Sequence, residues 1–212
     1  MNYKVISLLS DGFDSPIASY LMIKQDIIPI FLSFITTEPE KEDMRAKIIK
    51  IVKKLSTYSK EKLKIYFVQH YPNLELIKRI CIRKLTCVLC KRLMIRIAMK
   101  IGNIEGTNLI LTGDILGEQA SQTLDNLFSY NDLFINCIKL APLIGFNKLD
   151  IMKISKKIGL YEICSQKFQS CLYFPEYPET RAKMDEIRIA ENNITIDEWI
   201  SNVLDNVEVL KF

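Results

Sequence analysis

The 212-residue chain predicts an α/β fold built on a doubly wound, mainly parallel five-stranded sheet. Three observations lead there. Short apolar runs recur along the chain, segments of helical period separate them, and Gly, Pro, Asn and Asp cluster at the junctions. Hydrophobic residues make up 49% of the chain, enough for a single core in a domain of this length.

The elements follow in order. Residues 5–9 read as a first buried strand, and SDGFDS (10–15) makes a turn. Pro16 suits the first turn of the next helix, whose buried stripe is Ile17, Ala18, Leu21 and Met22. IIPIFLSF (27–34) is a second strand, and residues 41–58 carry Met44, Ile48, Ile51, Val52 and Leu55 at helical spacing. KLKIYFVQ (62–69) is a third strand. A helical stretch over 73–83 leads into TCVLCKRLMIRIAMKIG, a helix expected to stop near Gly102. NLILTGD (108–114) and NCIKLAPL (136–143) supply strands four and five. In NKLDIMKISKKIG, Asn147 is a cap, Asp150 lies in the first turn and Gly159 is the stop. Residues 165–183 break the pattern with two prolines and read as a surface loop closing a domain of residues 1–183. The remainder, 184–212, reads as a C-terminal appendage of two helices and an end strand.

The net charge of +4 is too mild by itself to mark a nucleic-acid binder. No apolar run reaches the ~20 residues of a membrane helix, and the N-terminus shows no basic region or cleavage site. The expectation is a soluble cytoplasmic protein with no membrane partner, whose six cysteines are free thiols.

In an open parallel sheet, ligands sit beyond the carboxyl ends of the strands. The turns at 10–15, 33–37 and 112–123 are therefore expected to converge. SDGFDS offers backbone N–H groups, the Ser10 and Ser15 hydroxyls and a helix N-terminus to an anion. It is not a Walker loop, because no Gly-Lys-Ser/Thr follows. Cys87 and Cys90 form a C-x-x-C pair entering a helix, where the positive dipole end lowers thiol pKa values. Cys81, Cys137 and Cys164 read as buried apolar side chains. Lys78, Arg79, Arg83, Lys84, Lys91, Arg92, Arg96 and Lys100 form a basic run that faces either RNA phosphates or water. His70, the single histidine, reads as structural. Phe168, Tyr173, Phe174 and Tyr177 either stack on a base or pack the loop.

SDGFDS resembles the Ser-Gly-Gly-x-Asp-Ser pyrophosphate (PP) loop of ATP pyrophosphatases that adenylate a substrate. Taken with CKRLMIRIAMKI (90–101), LTGDILGEQASQTLDNL (111–127) and PLIGFNKLDIMKISKKIGLYEI (142–163), the chain resembles the catalytic domain of the tRNA 4-thiouridine synthetase (ThiI) family, over roughly residues 4 to 180. That resemblance implies an adenine nucleotide alpha hydrolase-like fold. It also implies that Ser10, Gly12, Phe13, Asp14 and Ser15 bind ATP, with Mg2+ sharing the phosphate charge. Leu9, Phe31 and Leu32 would frame the adenosine, and Lys91, Gly113 and Gln122 would touch the nucleotide. Asp14, Lys91 and Cys171 are the implied catalytic residues. The implied reaction adenylates a uracil carbonyl oxygen of tRNA and releases pyrophosphate; a sulfur nucleophile then displaces AMP.

Two branches of the family handle sulfur differently. One uses a rhodanese persulfide and a loop-cysteine disulfide, and the residues after 180 leave no room for a rhodanese domain; Cys164 is an alternative disulfide partner for Cys171. The methanogen-type branch holds a 4Fe-4S cluster on the C-x-x-C pair and the loop cysteine, matched by Cys87, Cys90 and Cys171. Zinc fits less well, because structural zinc normally takes four protein ligands. Asp11 departs from the family's glycine, a charge tolerable beside phosphates if Mg2+ or Lys91 lies close. The ferredoxin-like and THUMP segments of full-length members are not in the sequence, so a stand-alone form is expected. Such a form would use a separate RNA-binding subunit or a homodimer, with sulfide or a sulfur-donor protein as partner. The alternatives are a same-fold enzyme adenylating a free nucleobase or small molecule, and a non-catalytic nucleotide- or cluster-binding subunit.

Overall fold

The structure, a computed structural model, describes residues 3–37, 43–166, 171–192 and 194–212. Strands β1 (Lys4–Leu8), β2 (Ile28–Ile35), β3 (Lys64–Gln69), β4 (Leu109–Leu111), β5 (Ile138–Leu140) and β6 (Glu208–Lys211) form one sheet in the order β5-β4-β1-β2-β3-β6. The first five are mutually parallel, and β6 runs antiparallel to β3. The chain winds outward from β1 in both directions, so the switch point lies between β1 and β4.

Two apolar layers clamp the sheet. Helices α1 (Asp14–Ile23), α2 (Asp43–Ser56), α6 (Lys148–Lys157) and α7 (Tyr161–Cys164) cover one face with Ile17, Ile48, Ile51, Leu55 and Ile151. Helices α3 (Tyr71–Ile80), α4 (Thr86–Glu105), α8 (Met184–Glu191) and α9 (Ile196–Leu204) cover the other with Ile77, Leu89, Ile97, Ile187 and Ile200. A short helix, α5 (Leu124–Phe128), follows β4. Along β2, Ile30 and Leu32 enter the second layer while Phe31 enters the first. Strands buried on both faces explain why these runs are apolar throughout rather than alternating.

Three expectations change. The sheet has six strands, not five, because the end strand of the C-terminal segment pairs with β3 and covers its otherwise open edge. Helix α4 does not stop at Gly102 but runs to Glu105 and ends at Gly106, which adopts φ +71°. Gly102 is needed for packing instead, since a Cβ there would sit 2.6 Å from the Thr107 carbonyl oxygen. Most of the basic run is occupied within the fold. Arg92 is 1% exposed and pairs with Asp132 and Glu191, Arg96 also holds Glu191, Lys84 pairs with Glu179 and Glu186, and Lys100 pairs with Asp197. Asn147 and Gly159 play the parts assigned to them: the Asn147 side chain accepts from the Asp150 N–H, and Gly159 takes φ +69°.

The Arg92 guanidinium also donates to the Ser129 carbonyl, so it ties α4, the segment after α5 and the C-terminal α8 together. Arg92→Leu is expected to cost about 3 kcal/mol of stability, because it strips a shared cation from two carboxylates. Urea unfolding of the two proteins checks this as a lower midpoint at unchanged slope.

Candidate active site

The first βα turn builds the mouth of a cleft of about 400 Å³ beyond the carboxyl ends of the strands. The turns after β1, β2 and β4 do converge there, contributing Ser10 and Ser15, Thr36, and the stretch from Thr112 to Gln122. Ser10 and Ser15 close the loop on itself: the Ser10 N–H donates to Ser15 Oγ at 2.8 Å, and the two hydroxyls lie 3.0 Å apart. The first-turn N–H groups of α1 have no helical acceptor ahead of them, so this closed loop presents them to an anion. Gly113 makes the geometry possible. A Cβ there would lie 2.6 Å from Ser15 N, so β4 and the start of α1 approach only without a side chain.

Below the loop lies a charge cluster. Asp114 is 5% exposed and sits between Lys91, 2.5 Å away, and Lys139, 2.7 Å away. Thr112 Oγ1 donates to the same carboxylate at 3.0 Å. Burial alone would raise the Asp114 carboxyl, but the two ammonium groups outweigh it and hold it at about 2. Burial pushes the Lys91 ammonium down, and Asp114 opposes that push. Lys91 is thus a desolvated cation facing the cleft rather than a solvated helix residue. Gln122 is buried beside it, and its Oε1 finds no hydrogen-bond partner among the described residues.

The loop acids have their own cations. Asp14 receives both of its contacts from Lys148, at 2.7 and 3.0 Å. Asp11 pairs with Lys47 at 3.1 Å, and that lysine, 3% exposed, also donates to the carbonyls of Cys164 and Gln166. The neighbour that offsets the Asp11 charge is therefore Lys47 from α2, and not Lys91.

Cys87, Cys90 and Cys171 line the same cleft. All six cysteines are free thiols, so Cys164 and Cys171 form no disulfide. The helix-dipole expectation for the C-x-x-C pair fails. Burial pushes Cys87 up to about 11 and raises Cys90 further, and charge on Cys171 would raise both. Burial is the largest cause at both thiols. Of the three cysteines read as core fillers, Cys164 is buried while Cys81 and Cys137 are half-buried. His70 is fully buried at the end of β3, with Nε2 3.2 Å from Cys90 Sγ; burial lowers it to about 3, so it is neutral.

Ser10, Asp14, Ser15, Lys91, Gly113, Gln122, Cys87, Cys90 and Cys171 are brought together around the cleft. The side chains of Leu9, Phe31 and Leu32 lie in the core, and the apolar lining of the cleft includes Leu8, Met94 and Phe174. Phe13 precedes α1 with its ring against Tyr161, 5.6 Å between centroids, and the Gly12 N–H donates to Ser10 Oγ at 3.4 Å. Tyr173 is buried and donates to Glu75, so it packs the loop, while Phe174 and Tyr177 are exposed. Phe168 lies outside the described residues. Lys47, Asp114, Lys139 and Lys148 are site residues that sequence reasoning did not single out. Only Asp114 carried a local signal, as the acid that follows Gly113 at the end of a strand. Among the described residues, no three His, Cys, Asp or Glu side chains gather closely enough to chelate a single ion, and no helix is long and apolar enough to cross a membrane.

Comparison with known proteins agrees with this geometry. A "Probable tRNA sulfurtransferase" of Methanosarcina mazei is 37% identical over 98% of this chain and 51% of its own length. A crystal structure of a 4-thiouridine synthetase–RNA complex with bound ATP superposes with a TM-score of 0.92 at 27% identity, covering 99% of this chain and 55% of that one. The U34-tRNA thiolase NcsA from Methanococcus maripaludis, solved with its 4Fe-4S cluster, shares the fold at a TM-score of 0.57 and 17% identity, covering 98% of this chain and 74% of that one. The chain spans about half the length of the curated relatives it matches. The family model described as thiamine biosynthesis protein (ThiI) matches residues 1–196, and the chain belongs to that family.

Proposed function

We propose that the chain is the catalytic unit of an ATP-dependent tRNA sulfurtransferase, which adenylates a uracil carbonyl of a tRNA uridine and replaces its oxygen with sulfur. One observation carries this reading: a single cleft joins an anion-binding loop, a desolvated lysine and three thiols. The sulfurtransferase name and the ATP–RNA complex of the relatives support the substrate assignment.

The loop N–H groups and the Ser10 and Ser15 hydroxyls bind the β- and γ-phosphates of ATP. Asp14, Ser10 and Ser15 present hard oxygen donors suited to Mg2+. Lys148 contacts both Asp14 oxygens, so this carboxylate already has a cationic partner. The uracil carbonyl oxygen attacks the α-phosphorus, forming an O–P bond as the bond to pyrophosphate breaks. Lys91 meets the charge that grows on the α-phosphoryl oxygens, and in a water-poor site a fixed cation is most effective. Gln122 Oε1 is left to accept an N–H from the bound ligand. A sulfur nucleophile then forms a C–S bond at the activated carbon, and AMP leaves with the former carbonyl oxygen.

Cys87, Cys90 and Cys171 would hold a 4Fe-4S cluster. Three thiols lining one cleft supply the donor type that such a cluster takes. When bound, such a cluster has one iron without a protein thiolate and can carry hydrosulfide. Sulfide or a sulfur-donor protein is the partner on that side. Lys78, Arg79 and Arg83, exposed beside the C-x-x-C pair, together with Phe174 and Tyr177, form the surface for RNA. A separate RNA-binding subunit or a second copy of the chain would extend that footprint in the cytoplasm.

Pyrophosphate release from ATP should rise on adding unmodified tRNA. A rise with free uridine but not tRNA would instead identify the small-molecule enzyme, and no ATP binding would identify a silent subunit. Lys91→Met is expected to slow tRNA-dependent pyrophosphate release by about 100-fold or more, the usual loss on removing one charge-stabilising group; steady-state release assays check it. Anaerobically purified protein should contain iron, and Cys87→Ala and Cys171→Ala should lose most of it, read by iron and sulfide analysis. Thiolation with sulfide should fall far more than pyrophosphate release in Cys171→Ala.

A further inference from the structure

The one histidine of the chain is built into a hydrogen-bond line whose polarity can be assigned from end to end. Trp199 on α9 donates its indole Nε1–H to Asn73 Oδ1 at 2.7 Å. An indole nitrogen can only donate, so Asn73 Oδ1 must be the acceptor and the amide orientation is fixed. The Asn73 amide nitrogen then lies 3.1 Å from His70 Nδ1, and an amide nitrogen can only donate as well. Nδ1 is therefore the bare nitrogen, and in the neutral ring the proton must sit on Nε2. That Nε2 lies 3.2 Å from Cys90 Sγ. The remaining Cys90 contact is consistent with this direction, since its S–H points to Met94 Sδ at 3.8 Å and leaves a lone pair for the imidazole N–H.

We propose that Trp199, Asn73 and His70 form a relay that locks the His70 tautomer and presents an N–H to the Cys90 sulfur, making His70 a positioning residue for sulfur chemistry in the cleft. His70 and Asn73 are buried, at 0% and 4% exposure, so water does not compete for these contacts. An N–H aimed at sulfur favours the thiolate over the thiol, and an iron-bound thiolate in its more reduced state over its oxidised one. The relay also reaches from the cleft to the C-terminal helix α9, so that distant segment fixes an atom beside the thiols. The role given to the sulfur rests on the proposed thiol site, while the relay itself does not.

With one histidine, every imidazole signal of ¹⁵N-histidine-labelled full-length protein reports His70 without assignment. The reduced, metal-free protein is expected to show a neutral ring protonated on Nε2 with a bare Nδ1. Trp199→Phe frees the Asn73 amide to turn, and is expected to shift population toward the Nδ1–H form. An Nδ1–H ring in the unmodified protein, or a tautomer unmoved by Trp199→Phe, overturns the relay. At fixed pH, His70→Leu should slow Cys90 alkylation about tenfold, the scale of a lost hydrogen bond to a charged group, with Cys87 much less affected. After iron–sulfide loading, the same variant should keep its iron but show a more negative reduction potential. Unchanged Cys90 alkylation together with an unchanged potential would overturn the positioning role. Protein that takes up no iron would refute the cluster reading alone, because the tautomer and the alkylation rates still decide the relay.

Discussion

Asp114 lies under the cleft with Lys91 on one side and Lys139 on the other, both within 2.7 Å. Lys91 belongs to α4 and Lys139 to β5, so the carboxylate joins a covering helix to an outer strand exactly where the sheet ends. Its ionised state follows from those neighbours, which hold it at about 2 although burial pulls the other way. Two ammonium groups against one carboxylate leave a net positive charge on the cleft floor. Without Asp114 the two lysines would repel each other in a poorly hydrated site, and neither could remain charged at low cost.

The same logic is repeated around the loop. Asp14 is held by Lys148 of α6, and Asp11 by Lys47 of α2. Lys47 also anchors the backbone at Cys164 and Gln166, just before the segment that leads to Cys171. The departure from a glycine at position 11 is thus matched by a cation from elsewhere in the fold. Through Lys47 the acid ties the loop after β1 to the backbone at Cys164 and Gln166. Gly113 sets the spacing on the opposite side, because only its missing side chain lets β4 meet the start of α1.

The basic run shows how charge in a sequence can mislead. Eight cations between residues 78 and 100 suggest a face for phosphates, yet Lys84, Lys91, Arg92, Arg96 and Lys100 all meet acids of the same chain. Those acids come from the turn after β4 (Asp114), from Asp132, from Glu179 ahead of α8, and from α8 and α9. A helical period identifies which side of α4 is apolar, but not that Glu191 will arrive about a hundred residues later to cover Arg92. Lys78 and Arg79 in the last turn of α3 and Arg83 before α4 are exposed, as is Lys100 with its pair Asp197.

The parallel sheet, its helices and the convergence of three turns were legible in the sequence, since strands buried on both faces and helices covered on one impose apolar patterns on consecutive residues. The loop Ser10–Ser15 and the C-x-x-C pair at 87 and 90 were legible for a related reason, because both are local arrangements, whereas Cys171 was marked only by the family resemblance. Tertiary structure alone decided the pairing of the end strand with β3, the core placement of Leu9, Phe31 and Leu32, and the partners Lys47, Lys139 and Lys148. It also decided that burial, rather than the helix dipole, governs Cys87 and Cys90, and that Trp199 reaches His70 through Asn73. Pairing energies and desolvation depend on distances between residues far apart in the chain, and those distances exist only once the two apolar layers have closed on the sheet.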